Sequence, residues 1–168
     1  MGQNSDFDPA LPTPAGRSAR ALDEVDRHII SLLVQDGRIS IRTLAERVHV
    51  SRSNAYARLQ RLIADGVISG FQARIVPERA GLGTSAYVGL TIRQNTWREV
   101  SASLARIRYL EHAALVGADY DVLALVRAPD NATLRDVVLN QLQRIPGVLS
   151  TRTWLVFEEF DGLGTPWS

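Results

Sequence analysis

Two short runs of side chains in this 168-residue chain have the types and spacing needed for recognition. The first is Arg52-Ser53-Asn54-Ala55-Tyr56-Ala57-Arg58-Leu59-Gln60-Arg61-Leu62. Wound at about 100° per residue, Ala55, Leu59 and Leu62 share one side of a helix. Ser53, Asn54, Ala57, Gln60 and Arg61 fall on the opposite arc, with Tyr56 and Arg58 flanking. A guanidinium can grip guanine and a carboxamide can grip adenine, and recognition helices use their N-terminal residues on base edges. Arg52, Ser53 and Asn54 are therefore assigned to base reading. Arg38, Arg42, Arg58 and Arg61 are assigned to phosphates, contacts that fix register without reading sequence. Ser51, immediately upstream, is placed to cap the helix, and with Tyr56 it completes the expected DNA-contacting set. The competing reading is an amphipathic surface helix whose arginines are simply solvated.

The second run is the turn Gly117-Ala118-Asp119-Tyr120-Asp121, taken with Thr151, Thr153 and Trp154. Strand-like alternation lets the Asp119 and Asp121 carboxylates point the same way. With two threonine hydroxyls and an apolar Trp154 wall they would form a cradle for an α-ammonium group. Aspartates in turns also bond their own backbone, and the residues alone leave both readings open.

The elements that must carry these runs can be read from periodicity. Apolar residues at 22, 25, 29, 32 and 33 form a helical stripe. Asp23, Glu24 and Asp26 lie in its first turns, where negative charge suits the helix dipole. Asp36-Gly37 ends it, with Gly37 available for the left-handed cap. Ser40 caps a second helix with Ile41, Leu44, Ala45 and Val48 inward, and Ser51 caps the third, closed by Asp65-Gly66. Residues 67–76 read as a hairpin or one long strand, which would make the unit a winged helix-turn-helix. From residue 84 the pattern changes to βαββαβ: strands at 85–92, 111–116, 122–126 and 148–157, helices at 97–107 and 134–145. That order is a ferredoxin-like split βαβ, an α+β fold with one antiparallel sheet and two helices on one face. The other face would expose apolar surface, and dimerisation through it is the simplest cover. The expected organisation is a disordered arm at 1–20, the DNA-binding unit at 21–70, a β-linker at 71–83, the βαββαβ unit at 84–160 and a tail at 161–168.

Composition narrows the function classes. The formal charge is only +1, so affinity for nucleic acid must come from a local patch. All 19 basic residues are arginine, which base composition of the genome explains, yet every cation is a planar fork suited to phosphate or guanine. The absence of cysteine removes disulfides, thiolate metal sites and thiol nucleophiles. No apolar run is long enough to span a membrane, and the first twenty residues lack the apolar core of a signal peptide. A cytoplasmic, nucleoid-associated protein is expected.

Beyond the individual runs, their order resembles the Lrp/AsnC (feast/famine) family of transcription regulators. The resemblance rests on Leu22-Asp23-x-x-Asp26-Arg27-x-Ile29, Leu33-x-x-Asp36-Gly37-Arg38-Ile39-Ser40, Leu44-Ala45-x-x-Val48-x-Val50-Ser51 and Arg58-Leu59-x-Arg61-Leu62-x-x-x-Gly66-Val67-Ile68-x-Gly70-Phe71. Pro146-Gly147-Val148 and Thr151-Arg152-Thr153 extend it into the second half. The resemblance implies a dimer paired through the C-terminal units and further assembly to a tetramer or octamer. It also implies a small effector, usually an amino acid, bound between dimers against the turn 116–121 and the last strand around 153–156. Gly117, Ala118, Asp119, Tyr120 and Asp121, with Thr151, Thr153 and Trp154, are the positions so implied. The family usually has glycine where this chain has Ala118; its glycine stands one place earlier, at Gly117.

Two other functions use the same features. An architectural protein would wrap DNA with the same helix and no effector. Some tetrapyrrole decarboxylases share a similar fold, but such a site needs convergent side chains around a large pocket. His28, His49 and His112 are widely spaced and no pair has metal-ligand spacing. No cofactor or metal is expected.

Overall fold

The computed structural model describes residues 21–160 and 162, so the expected arm at 1–20 and most of the tail lie outside the described residues. Within them the chain forms two compact units, dividing between Arg74 and Ile75.

The first unit holds three helices, α1 (Glu24–Gln35), α2 (Ile41–Arg47) and α3 (Arg52–Ala64). Each starts where a short polar side chain can satisfy the free N–H groups of the first turn. Asp23 accepts from the Asp26 N–H at 2.8 Å while the Asp26 carboxylate accepts from the Asp23 N–H at 3.3 Å, a reciprocal capping box. Ser40 accepts from the Thr43 N–H and Ser51 from the Asn54 N–H. The turn between α2 and α3 is four residues long, 48–51, and His49 takes the left-handed conformation at φ 54° that such turns often give to glycine. Ile29, Leu32, Leu44, Val48 and Leu62 form the core.

Two expectations fail here. Gly37 does not adopt a positive φ; α1 ends instead on an extended Asp36 whose N–H donates to the Leu32 carbonyl. Residues 67–76 form no strand, so no wing is present among the described residues. The segment 69–76 is exposed along its whole length. Among the described residues its β-like composition has no neighbouring strand with which to pair, and a ladder requires two.

The second unit contains β1 (Thr84–Ile92), α4 (Trp97–Leu104), β2 (Leu110–Leu115), β3 (Val122–Ala128), α5 (Asn131–Asp136) and β4 (Val148–Val156). The sheet order is β2-β3-β1-β4 with every neighbouring pair antiparallel, the expected split βαβ. A short 3₁₀ turn at Glu78–Ala80 precedes β1. The helix expected at 134–145 begins earlier, at the Asp130 cap. After α5 it continues as a π turn, Val137–Gln141, and a 3₁₀ turn, Leu142–Arg144. Ala86, Val88 and Leu90 of β1 alternate onto the face covered by Val100, Leu104, Leu134, Val137 and Leu142. Ser85, Tyr87 and Gly89 therefore point to the opposite, open face, where the register places Arg127, Leu125 and Leu123 of β3 beside them.

A charged group decides how α3 lies on α1. Asp26 falls on the buried stripe of α1 and is only 1% exposed. It accepts from Arg58 at 2.7 Å and from Arg61 at 2.6 Å, while Arg58 also reaches Asp23 at 2.6 Å. Breaking a buried pair by removing one partner costs about 3–5 kcal/mol. Asp26→Asn is expected to destabilise the first unit by about 3 kcal/mol in urea titration, whereas a loss below 0.5 kcal/mol, the ordinary surface effect, would contradict the pairing. Asp23 supplies a pH test. The Arg58 hydrogen bond, followed by the Asp26 N–H, holds its carboxyl below the ordinary carboxylate range. A depressed folded pKa contributes stability above the unfolded value of about 4, lost as pH falls through the lower folded value. Asp23→Asn is expected to flatten stability against pH in that acid window, measured by denaturant midpoint.

Candidate nucleic-acid interface and effector site

The side chains of α3 segregate as the helical winding requires. Ala55, Leu59 and Leu62 are buried, whereas Arg52, Ser53, Asn54, Tyr56, Ala57 and Gln60 are exposed. Ser51 caps the helix and holds Ser53 through a hydroxyl contact of 3.1 Å. Arg52 makes no ion pair or hydrogen bond among the described residues, and neither does the Arg38 side chain. Arg42 pairs with Glu46 at 3.0 Å, but both side chains are more than half exposed, so the pair is weak and easily exchanged.

Arg58 and Arg61 do not have the freedom the sequence reading gave them. Their guanidiniums close on Asp23 and Asp26, two positive charges against two negative. Sequence winding put them on or beside the free arc; an arginine side chain is long enough to lean back across the helix to a carboxylate on α1. The signal that was missed was Asp26 itself, an acid on the apolar stripe of α1. Arg58 also donates through Nε to Asn54 Oδ1 at 2.8 Å.

In the second unit the expected effector residues divide between locations. The β1–β4 register pairs Leu90 with Thr151 and Val88 with Thr153, so both threonines face the helix side of the sheet. Thr151 there accepts from Gln143 at 2.8 Å. Trp154 pairs with Tyr87 and lies on the open face. A strand alternates its side chains, so Thr153 and its neighbour Trp154 cannot line one cradle. Asp121 is also occupied: its carboxylate accepts from the Ile92 N–H at 2.8 Å, and its N–H donates to the Leu90 carbonyl. It ties β3 to the end of β1, the backbone role that competed with the ligand role. Gly117 has no positive φ and nothing within 4 Å of an added Cβ, so this turn needs no glycine at Gly117, and Ala118 is exposed.

What remains together is a different set. Tyr120 meets Trp154 edge-to-face at 5.3 Å between centroids. The Arg152 guanidinium lies 5.8 Å from the Trp154 ring centre and makes a long 3.4 Å contact to the Tyr120 hydroxyl. That hydroxyl, with the nearby Asp119 charge, raises the Arg152 pKa further. Gly89 pairs with Arg152 in the register, and its missing side chain makes room for both rings. Arg152 was passed over because it stands between the two threonines, yet alternation alone puts it on the opposite face from them.

Elsewhere on the open face Arg127, 9% exposed, donates to Ser85 at 3.0 Å, to Glu159 at 2.5 Å and to Glu111. These carboxylates hold it firmly protonated, Glu159 most strongly. The sequence reading stopped β3 at Val126, just short of this residue. Among the described residues no group of three His, Cys, Asp or Glu could hold a metal ion, and no helix is long and apolar enough to cross a membrane.

Gly89 offers a direct test of the aromatic cluster. An added Cβ would lie 2.7 Å from Tyr120 Cγ and 3.0 Å from Trp154 Cζ3, so the rings must separate. Gly89→Ala is expected to cost about 1–3 kcal/mol through overpacking and to shift Trp154 emission. Unchanged stability and emission would contradict the packing.

These features match known proteins over most of the chain. The model described as the AsnC-type helix-turn-helix domain matches residues 22–63, and that of the Lrp/AsnC ligand binding domain matches residues 85–162. The leucine-responsive regulatory protein of Escherichia coli is 32% identical over 146 residues, spanning 85% of this chain and 89% of the relative. The solved structure of the Mycobacterium tuberculosis leucine response regulatory protein is similar at 31% identity and TM-score 0.75, over 84% of this chain and 96% of that one. A transcriptional regulator from Neisseria meningitidis, solved as an L-Met complex, is similar at 26% identity and TM-score 0.79, over 84% and 94%. With a capped helix pair ahead of a split βαβ sheet, this chain belongs to the Lrp/AsnC family of DNA-binding transcriptional regulators.

Proposed function

We propose that the chain reads duplex DNA with the exposed N-terminal half of α3 and is modulated by an amino acid bound at its second unit. The observation that carries the DNA reading is the segregation of α3. Its apolar residues are buried, while Arg52, Ser53, Asn54 and Tyr56 are exposed at the capped end. Arg52 and Asn54 read base edges; Arg38 and Arg42 hold phosphates. Arg58 and Arg61 are support, not phosphate contacts.

The effector reading is supported by the ligand-binding family model and by the L-Met complex of the Neisseria relative. Asp119, Tyr120, Arg152 and Trp154 are the side chains of this chain suited to a zwitterion. Arg152 matches an α-carboxylate, exposed Asp119 matches an α-ammonium, and the aromatic pair offers an apolar wall. Asp121, Thr151 and Thr153 support the strands instead. The open sheet face, with Tyr87 and Trp154 more than a third exposed, is where two copies pair. Larger assemblies and a cytoplasmic site of action complete the reading. A regulatory rather than enzymatic role accords with the family, and the three histidines lie in separate elements, His28 in α1, His49 in the α2–α3 turn and His112 in β2.

Selection from a randomised duplex pool, followed by titration with and without each L-amino acid, tests both halves. Arg38→Ala is expected to lower the salt slope of binding by about one, whereas Arg61→Ala lowers stability and leaves that slope unchanged. An equal fall in slope for both variants would restore Arg61 as a phosphate contact. No selected consensus, or affinity indifferent to Arg52→Ala, would overturn the DNA reading. Affinity and assembly indifferent to all twenty amino acids would overturn the effector reading.

A further inference from the structure

The carboxamide of Asn54 is not free to turn. Arg58 lies one helical turn further along α3 and donates through Nε to Asn54 Oδ1 at 2.8 Å. A guanidinium has donors only, so the oxygen must be the atom facing it, and the amide nitrogen must be the atom turned away. Arg58 is itself immobilised. Its NH1 donates to Asp23 at 2.6 Å and to Asp26 at 2.7 Å, and the Asp26 side chain is 2% exposed. The rigid path runs from α1 through a buried carboxylate and a planar fork to the side chain of an exposed residue at the start of α3.

We infer that Arg58 is a positioning residue for base recognition: it holds the Asn54 carbonyl by one of its two lone pairs and presents the Asn54 amide nitrogen outward as a donor. This rests on the reading of α3 as the DNA-contacting helix. A free asparagine pairs with adenine because that base offers one acceptor and one donor, and the carboxamide answers both. An asparagine with its nitrogen turned outward and one of its two oxygen lone pairs already used answers acceptors more readily than donors. Guanine, with N7 and O6 both accepting in the major groove, is then the preferred partner, whereas adenine must share the Asn54 oxygen with Arg58. The sequence reading of Asn54 as an adenine reader is revised accordingly.

The test is binding-site selection with the full-length protein, then affinities for the four single-base variants at the position whose preference Asn54→Ala relaxes. Wild type is expected to prefer guanine over adenine there by about tenfold. Arg58→Lys keeps a cation for Asp26 but cannot reach two carboxylates and Asn54 together. It is expected to fold, to release the carbonyl and to move preference toward adenine, with other positions unchanged. Adenine preferred by wild type overturns the inference without needing any Arg58 variant. So does an unchanged guanine preference in folded Arg58→Lys; base reading by Asn54 would survive that result. Indifference of every position to Asn54→Ala overturns the inference together with base reading by Asn54.

Discussion

A carboxylate taken out of water must be paired, and Asp26 is the place where this chain meets that demand. Lying on the buried stripe of α1, it takes both Arg58 and Arg61 from α3. The alternative, an unpaired buried charge, carries a desolvation penalty of several kcal/mol. The pairing therefore does more than add stability. It fixes the rotation of α3 on α1, so that the arc bearing Arg52, Ser53 and Asn54 points outward. It also engages two of the arginines of α3 with the carboxylates of α1.

The second unit is organised by alternation. Every other residue of β1 is sealed under the helices, and the intervening ones build the open face. That rule places Arg152 and Trp154 with Tyr120 over Gly89, and places Thr151 and Thr153 on the far side. It likewise puts Arg127 on the open face, where Glu111, Glu159 and Ser85 satisfy it. On the open face, Arg127 is thus paired with carboxylates, while Arg152 stands beside the aromatic pair.

Helix positions, caps and strand order were readable because they depend on local periodicity and on short polar residues at fixed offsets. Ser40, Ser51 and the βαββαβ order are of this kind. What sequence did not reveal depended on partners distant along the chain. The destination of Arg58 and Arg61 required knowing that α1 brings Asp26 beneath them. The failed strand at 67–76 had the right composition, but composition cannot supply the second strand that pairing needs. The threonine error was different, since strict period-two reasoning applied to 151–154 would have separated Thr153 from Trp154 without any structure. Asp121 shows the same lesson at a turn: its backbone role was one of two open readings, and an N–H at the end of β1 decided it.

The central claim is that α3 enters DNA on a support made by Asp26. A crystal structure of the full-length protein on a selected duplex measures this directly. The account requires the N-terminal half of α3 in a major groove, Arg52 and Asn54 on base edges, and Arg58 and Arg61 still on Asp26. Finding either of those two arginines released from Asp26 onto phosphate, or α3 away from the groove, would contradict it.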